Sequence, residues 1–327
     1  MTTRSHRPSL TWGGRLLLLL ALAGSMAPAA AQQGLDDVEI RVLPVQGNVY
    51  MLVGAGGNIA VQAGPEGVLF VDTSFAQLSD KILAAVRTIS NRPVRYIVNT
   101  HVHPDHIGGN EALARAGRTI AGGNVVGDLG ADAFGTAAIV AHESVLARMS
   151  AARPAIPTVA LPTDTYFTAK KELFFNGEAI EVLHQPAAHT DGDSLVFFRR
   201  SDVLVAGDVF VTTGYPVIDR ERGGSINGVV AALNRILDIT IPGDKQEGGT
   251  MVIPGHGRVS DEADVVEYRD MVTIIRDRIR AMINKGMTLD QVKAGRPTLD
   301  YDPRYGSNSG SWTTEMFVEA VYRNLKP

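Results

Sequence analysis

A chain of 327 residues that is 45% hydrophobic and 20% charged can bury a sizeable core, which argues against disorder and fits one large α/β unit with an appendage. Setting aside residues 1–31, with Arg4, Arg7 and Arg15, leaves 28 basic against 35 acidic side chains, a poor balance for neutralising nucleic-acid phosphates. Cysteine is absent, so no disulfide staples the fold and any metal site has to be built from His, Asp or Glu.

The three arginines form a basic start, Leu16–Ala23 an apolar stretch, and Ala29-Ala30-Ala31 a small-residue cleavage site. Residues 1–31 are therefore expected to be a secretory signal peptide, and the mature chain to be exported, periplasmic or secreted. The apolar run is far short of the roughly 20 residues needed to span a membrane, and the mature chain is expected to have no span.

From Val38 onward the chain reads as short strands: EIRVLPV, NVYMLV, NIAVQA and GVLFVDT, separated by turns at Gly54–Gly57 and Gly64-Pro65. QLSDKILAAVRTIS (77–90) has helical spacing, RPVRYIVNT (92–100) is a strand, and NEALARAG (110–117) is a short helix. Residues 122–135 are glycine-rich and read as a loop. AAIVAHESVLARMSA (137–151) is predicted as one helix, which puts His142 on a helix, and 152–162 as a proline-rich crossing. KELFF, EAIEVLH, SLVFFR and DVLVAGD form a second strand series, with Phe174-Phe175 and Phe197-Phe198 alternating between core and surface. INGVVAALNRIL (226–237) is helical and TMVIP (250–254) is a last strand. Two further helical stretches follow, Asp261 to Gly286 and 313–326. The pattern predicts a layered α/β domain over 32–260, with two sheets inside and helices outside, and a helical extension over 261–327 packed on it.

The chemistry concentrates in THVHPDH (100–106), which holds three of the chain's eight histidines. His101 and His103 lie two apart at the expected end of a strand, so alternation would point both to one side. Asp105 and His106 follow where the chain turns. Four candidate ligands on one loop exceed what one open catalytic zinc site uses, so they imply two metals. Each further candidate also sits where a strand ends: His189 in PAAHTDGDS, Asp208 in LVAGDVF and His256 in MVIPGHGR, where glycines permit close approach.

His101, His103, Asp105, His106, His189, Asp208 and His256, in that order over roughly residues 38–260, resemble the metallo-β-lactamase superfamily. The resemblance implies a four-layer αββα sandwich with a dinuclear site. His101, His103 and His189 would hold one metal, Asp105, His106 and His256 the other, and Asp208 would bridge them. Two zinc ions are expected, iron or manganese being compatible with an all-His/Asp set. The expected enzyme is a metal-dependent hydrolase in which a hydroxide shared by the metals attacks the substrate while Asp105 takes up its proton. A carboxylate at Asp208, where one branch of the true β-lactamases has cysteine, puts an antibiotic substrate in doubt. A small-molecule cyclic amide or ester, a β-lactam or lactone, is the favoured target. A phosphodiester or sulfate ester is the alternative within enzymology, and a non-catalytic metal-binding protein the alternative outside it.

Around this set, Tyr215, Asp219 and Gly223-Gly224-Ser225 are placed to line a pocket, together with the loop at 122–136. Asp191 and Asp193 are candidates to orient the His189 loop or to accept a hydrogen bond from a ligand imidazole. His184 reads as a sheet residue.

Overall fold

The computed structural model describes Met1, residues 34–119 and residues 135–326. The signal-peptide reading and most of the 122–136 loop fall outside these residues.

Among the described residues, twelve strands form two sheets. The first contains β1 (Arg41–Gln46), β2 (Val49–Val53), β3 (Ile59–Gly64), β4 (Gly67–Val71), β5 (Val94–Val98), β6 (Ala138–His142) and β7 (Asp164–Tyr166), side by side in that order. Pairing is antiparallel from β1 to β4 and parallel from β4 to β7. The second sheet runs β12 (Met251–Pro254), β11 (Val203–Gly207), β10 (Asp193–Phe198), β9 (Glu178–Gln185), β8 (Lys170–Phe175), and only β11 and β12 are parallel. Parallel neighbours need a crossover. The β4–β5 connection carries helix α1 (Ser79–Arg87), and the β11–β12 connection carries a longer helix, Ile226–Ile239.

Period-two patterning builds the layers. Along β4, Leu69 and Val71 face the second sheet while Phe70 faces the helices. Val196 and Phe198 face the first sheet, and Leu195 between them and the β9 end packs the other way. Val205 and Ile253 enter the inter-sheet core while Leu204 and Val252 face outward to helices. Each fully buried side chain of this size contributes roughly 1.5–3 kcal/mol. Outside the first sheet lie Ile82 and Val86 of α1 and Leu113 of a short helix, Asn110–Arg115. Outside the second lie Val229, Leu233 and Ile236, with Tyr268, Met271 and Ile275 from helix Glu262–Asn284 and Phe317 and Val321 from helix Thr314–Leu325. The result is an αββα sandwich. Its C-terminal helices share one hydrophobic core with the second sheet. Among the described residues, no helix is long and apolar enough to cross a membrane.

Two expectations need correcting. Residues 137–151 are not one helix: β6 occupies Ala138–His142, and a helix begins only at Glu143. Ile139 and Val140 pair in register with Ile97 and Val98, so the β-branched pair is worth more in the sheet than in a helical turn. His142 therefore ends a strand, and its Nδ1 accepts a hydrogen bond from Ser144 N at the start of the helix. The second correction concerns His101 and His103, which lie beyond β5 in irregular backbone, so strand alternation is not what brings them together.

Candidate metal centre

The seven predicted side chains meet where strands of both sheets end. β5 leads through Asn99 and Thr100 to His101 and His103, and a one-turn helix, Pro104–Ile107, then carries Asp105 and His106. His189 comes from the β9–β10 turn, Asp208 directly follows β11, and His256 lies two residues beyond β12. The loop is clamped from behind. Asn99 and Asn110 exchange side-chain amide hydrogen bonds at 3.0 and 2.8 Å, and Thr73 N donates to His106 O at 2.8 Å. Glycine is required on the opposite side: a Cβ on Gly255 would lie 2.0 Å from Asp208 Oδ1, and one on Gly57 2.5 Å from His106 Cε1.

The side chains form two groups, His101, His103, His189 and Asp208 in one, Asp105, His106 and His256 in the other. Within each group, one potential ligand atom per residue lies within 4.8 Å of all the others. Asp208 stands between them. Its Oδ2 is 3.9 Å from His101 Nε2 and 3.7 Å from His189 Nε2, while its Oδ1 is 3.3 Å from His106 Nε2 and 3.4 Å from His256 Nε2. A sequence model of the metallo-beta-lactamase superfamily matches residues 42–247, more than half of the chain.

The chain belongs to the metallo-β-lactamase superfamily.

A curated linear primary-alkylsulfatase from a Pseudomonas species is 28% identical over 259 residues, covering 70% of this chain and 47% of that protein. This superfamily member thus spans about half the length of the curated relative it matches. Among solved structures, a stereoselective inverting sec-alkylsulfatase from Pseudomonas sp. matches 87% of this chain and 50% of its own, with TM-score 0.64 and 16% identity. A metallo-beta-lactamase from Pontibacter korlensis matches 72% of this chain and 99% of its own, with TM-score 0.55 and 17% identity. These structures share the fold.

The donor set of this superfamily member suits divalent cations. His101 Nε2, His106 Nε2 and Asp208 Oδ1 are buried without a hydrogen-bond partner among the described residues, although buried polar atoms are normally paired. All three face the centre of the cluster, and a cation between them would satisfy them. The other edge of four of the five imidazoles is anchored. His106 Nδ1 donates to Asp72 Oδ2 at 2.8 Å, His103 Nε2 to Asp219 Oδ2 at 2.8 Å, and His189 Nδ1 to Val217 O at 2.7 Å. His101 Nδ1 lies 3.0 Å from Thr100 Oγ1, which donates to Asp72 Oδ2 at 2.6 Å. Such partners orient a ligand and raise its basicity.

Electrostatics divides the histidines. Burial, aided by the fields of His106 and His189, holds His101 well below the ordinary imidazole pKa, and burial takes His189 down to about 4 against the field of Asp208. Both are neutral donors at neutral pH. Burial also opposes charge on His106 and His256, but the carboxylates of Asp208 and Asp72 raise His106 well above its usual value. The carboxylates of Asp105 and Asp208, each 3.4 Å from His256 Nε2, raise His256 to about 9. For Asp208 and Asp105, burial favours the neutral acid, and the surrounding imidazoles outweigh it, so both pKa values are lowered.

Of the accessory expectations, Asp219 holds His103 rather than simply lining a pocket, Tyr215 does line a cleft beside the site, and Ser225 caps helix Ile226–Ile239. Asp191 pairs with Arg148, and Asp193 accepts from Thr190 N and Oγ1; among the described residues neither touches a ligand imidazole. Asp193 thus ties the His189 loop to itself. His184 lies on β9, with its Nε2 2.8 Å from Asp191 O and its ring stacked on His142 at 3.6 Å. Sequence reasoning missed Asp72. The signal was present, since Asp72 ends the hydrophobic run GVLFV just as Asp208 ends another.

Proposed function

We propose that this chain is an exported, metal-dependent hydrolase of small sulfate esters, adding water across the ester to yield an alcohol and hydrogen sulfate. The observation that carries the substrate class is the alkylsulfatase relative, whose similarity extends over 70% of this chain. The paired donor groups support the hydrolytic chemistry. His101, His103 and His189 would hold one cation and Asp105, His106 and His256 a second, with one oxygen of Asp208 toward each. Zinc is the ion best matched to nitrogen-rich sites, with iron or manganese also compatible. When bound, such ions supply Lewis acidity, lowering the pKa of water and drawing charge from the ester oxygens. The protein's own part is to hold and orient. Asp105, kept ionised and with a side chain 24% exposed, is placed to accept a hydrogen bond from the attacking water and take up its proton. Asp72, Thr100 and Asp219 hold the imidazoles in the required tautomers. The basic start, Leu16–Ala23 and Ala29-Ala30-Ala31 support export.

A second reading is hydrolysis of a cyclic amide or ester, within which the carboxylate at Asp208 favours a lactone over a β-lactam. Metal analysis of the purified protein, run beside assays on alkyl and aryl sulfates, a γ-lactone, nitrocefin and a phosphodiester with and without chelator, separates them. Chelator-sensitive sulfate release is the expected result. Lactone or nitrocefin turnover with inert sulfate esters would move the assignment to the second reading. Metal bound firmly with no turnover on any substrate would make the chain a metal-binding protein instead.

A further inference from the structure

A cleft of about 200 Å³ opens onto Asp208 and His256. One side is formed by Val211, Tyr215 and Val217 from the segment after β11, and the other by Tyr305, Trp312 and Thr314. The latter three come from the C-terminal segment: Tyr305 ends helix Asp302–Tyr305, Thr314 begins helix Thr314–Leu325, and Trp312 lies between the two. Apart from Asp208 and His256, no charged side chain lines the cleft among the described residues.

The wall is fixed in place. Tyr215 stacks on Phe317 with ring centroids 4.7 Å apart and 7° between planes, and its hydroxyl donates to Asp302 Oδ1 at 2.9 Å. Tyr305 meets Tyr268 edge-on at 5.6 Å. The segment carrying Trp312 is pinned at its neck, where Ser307 N donates to Thr314 Oγ1 at 3.0 Å and Thr314 N to Ser307 O at 2.8 Å. A cavity of about 150 Å³ already accommodates benzene, whereas sites for drug-sized ligands run from about 300 to 1,000 Å³. A larger groove of about 690 Å³, floored by Val102, Ile107, Met149 and Ile156, includes none of the seven clustered His and Asp side chains in its lining. A second groove of about 660 Å³, beside β1 and β2, reaches His256 but not Asp208, and its lining includes Arg41 and Arg258. The small cleft opens on both Asp208 and His256, so a bond cleaved between the two donor groups delivers an uncharged neighbouring group there.

We infer that this cleft is the subsite for the organic group of the ester, and that it selects one uncharged ring or a short branched alkyl group over a long linear chain. The inference rests on the sulfate-ester reading for the head group and commits the rest of the substrate to an apolar, ring-sized body.

Intrinsic fluorescence provides the test, because the chain has two tryptophans, Trp12 and Trp312. In the full chain carrying Trp12→Phe, Trp312 is the sole emitter. Benzylsulfonate and octylsulfonate are suitable probes, keeping the anionic head but presenting a carbon–sulfur bond in place of the ester. Benzylsulfonate is expected to shift Trp312 emission saturably and to bind about tenfold or more tightly than octylsulfonate, the discrimination an apolar pocket achieves over a few methylenes. Tyr305→Ala, or Val211→Ala should the first fail to fold, is expected to erase that preference by widening the cleft. Equal or tighter octylsulfonate binding, benzylsulfonate binding that leaves Trp312 emission unchanged, or no saturable binding by either would overturn the inference. So would a preference that responds to Met149→Ala and ignores both cleft variants. Saturable benzylsulfonate binding without turnover of any sulfate ester would sustain the subsite and refute the chemistry. Turnover of octyl sulfate in preference to benzyl sulfate would sustain the chemistry and refute the subsite.

Discussion

Asp72→Asn tests whether the anchoring hydrogen bonds, and not just the facing side chains, make this centre. Asp72 is 1% exposed and accepts three hydrogen bonds on two oxygens: Thr100 N on Oδ1 at 2.8 Å, and Thr100 Oγ1 and His106 Nδ1 on Oδ2 at 2.6 and 2.8 Å. Asparagine keeps the shape but turns one acceptor into a donor. In either amide orientation at least one buried donor then faces another donor. A hydrogen bond to a charged group is worth about 1.5–3 kcal/mol, and a stranded buried donor costs a further 1–3 kcal/mol. The loss falls on His106, whose tautomer is no longer dictated, and through Thr100 on His101. Removing such a partner typically lowers metal affinity about 10–100-fold. Competition against a chromophoric chelator, followed for each metal equivalent, measures it, with circular dichroism as the control for folding. The expected result is a drop of that size at the site containing His106 and a smaller one at the site containing His101. Affinities within about threefold of the parent protein at unchanged fold would show that orientation by Asp72 is not needed, and the reasoning would fail.

Acid should weaken metal binding, because a cation must displace the protons held by His106 and by His256, the latter raised to about 9. Apparent affinity is expected to climb with pH up to about 9, by up to two decades per unit if both protons are displaced; a titration flat between pH 6 and 8 would contradict this. Gly255→Ala would place a methyl 2.0 Å from Asp208 Oδ1 and 2.7 Å from the Gly207 backbone. It should cost about 1–3 kcal/mol of stability and reduce metal content, and full metal content by elemental analysis would count against the crowding. Phe198→Ala empties a fully buried position between the sheets, with an expected loss of about 3–5 kcal/mol read as an earlier denaturant midpoint. A loss below about 1 kcal/mol would mean that the inter-sheet core is not tightly packed there.

The amino-acid sequence by itself determined the layering and the identity of the clustered donors. Alternation such as Leu195/Val196 or Leu204/Val205 can be read one residue at a time, because a strand with both faces covered must send neighbours to different cores. The donors were legible because the chain has few histidines and they fall, with aspartates, at strand ends. Tertiary structure decided the rest. His103 and Asp219 are 116 positions apart, and Gly255 and Asp208 come together only because β11 and β12 lie side by side. Asp72 looks like any aspartate closing a strand until Thr100 and His106 fold over it. Residues 137–151 carry apolar spacing compatible with either element, and only pairing with β5 and β7 makes Ala138–His142 a strand. The cleft is the furthest case, since its wall at Tyr305 and Trp312 reaches Asp208 and His256 through the packing of the C-terminal helices on the second sheet. Local pattern records what a residue prefers and which way it faces; which distant residue it meets depends on packing and register, and those arise only when the whole core closes.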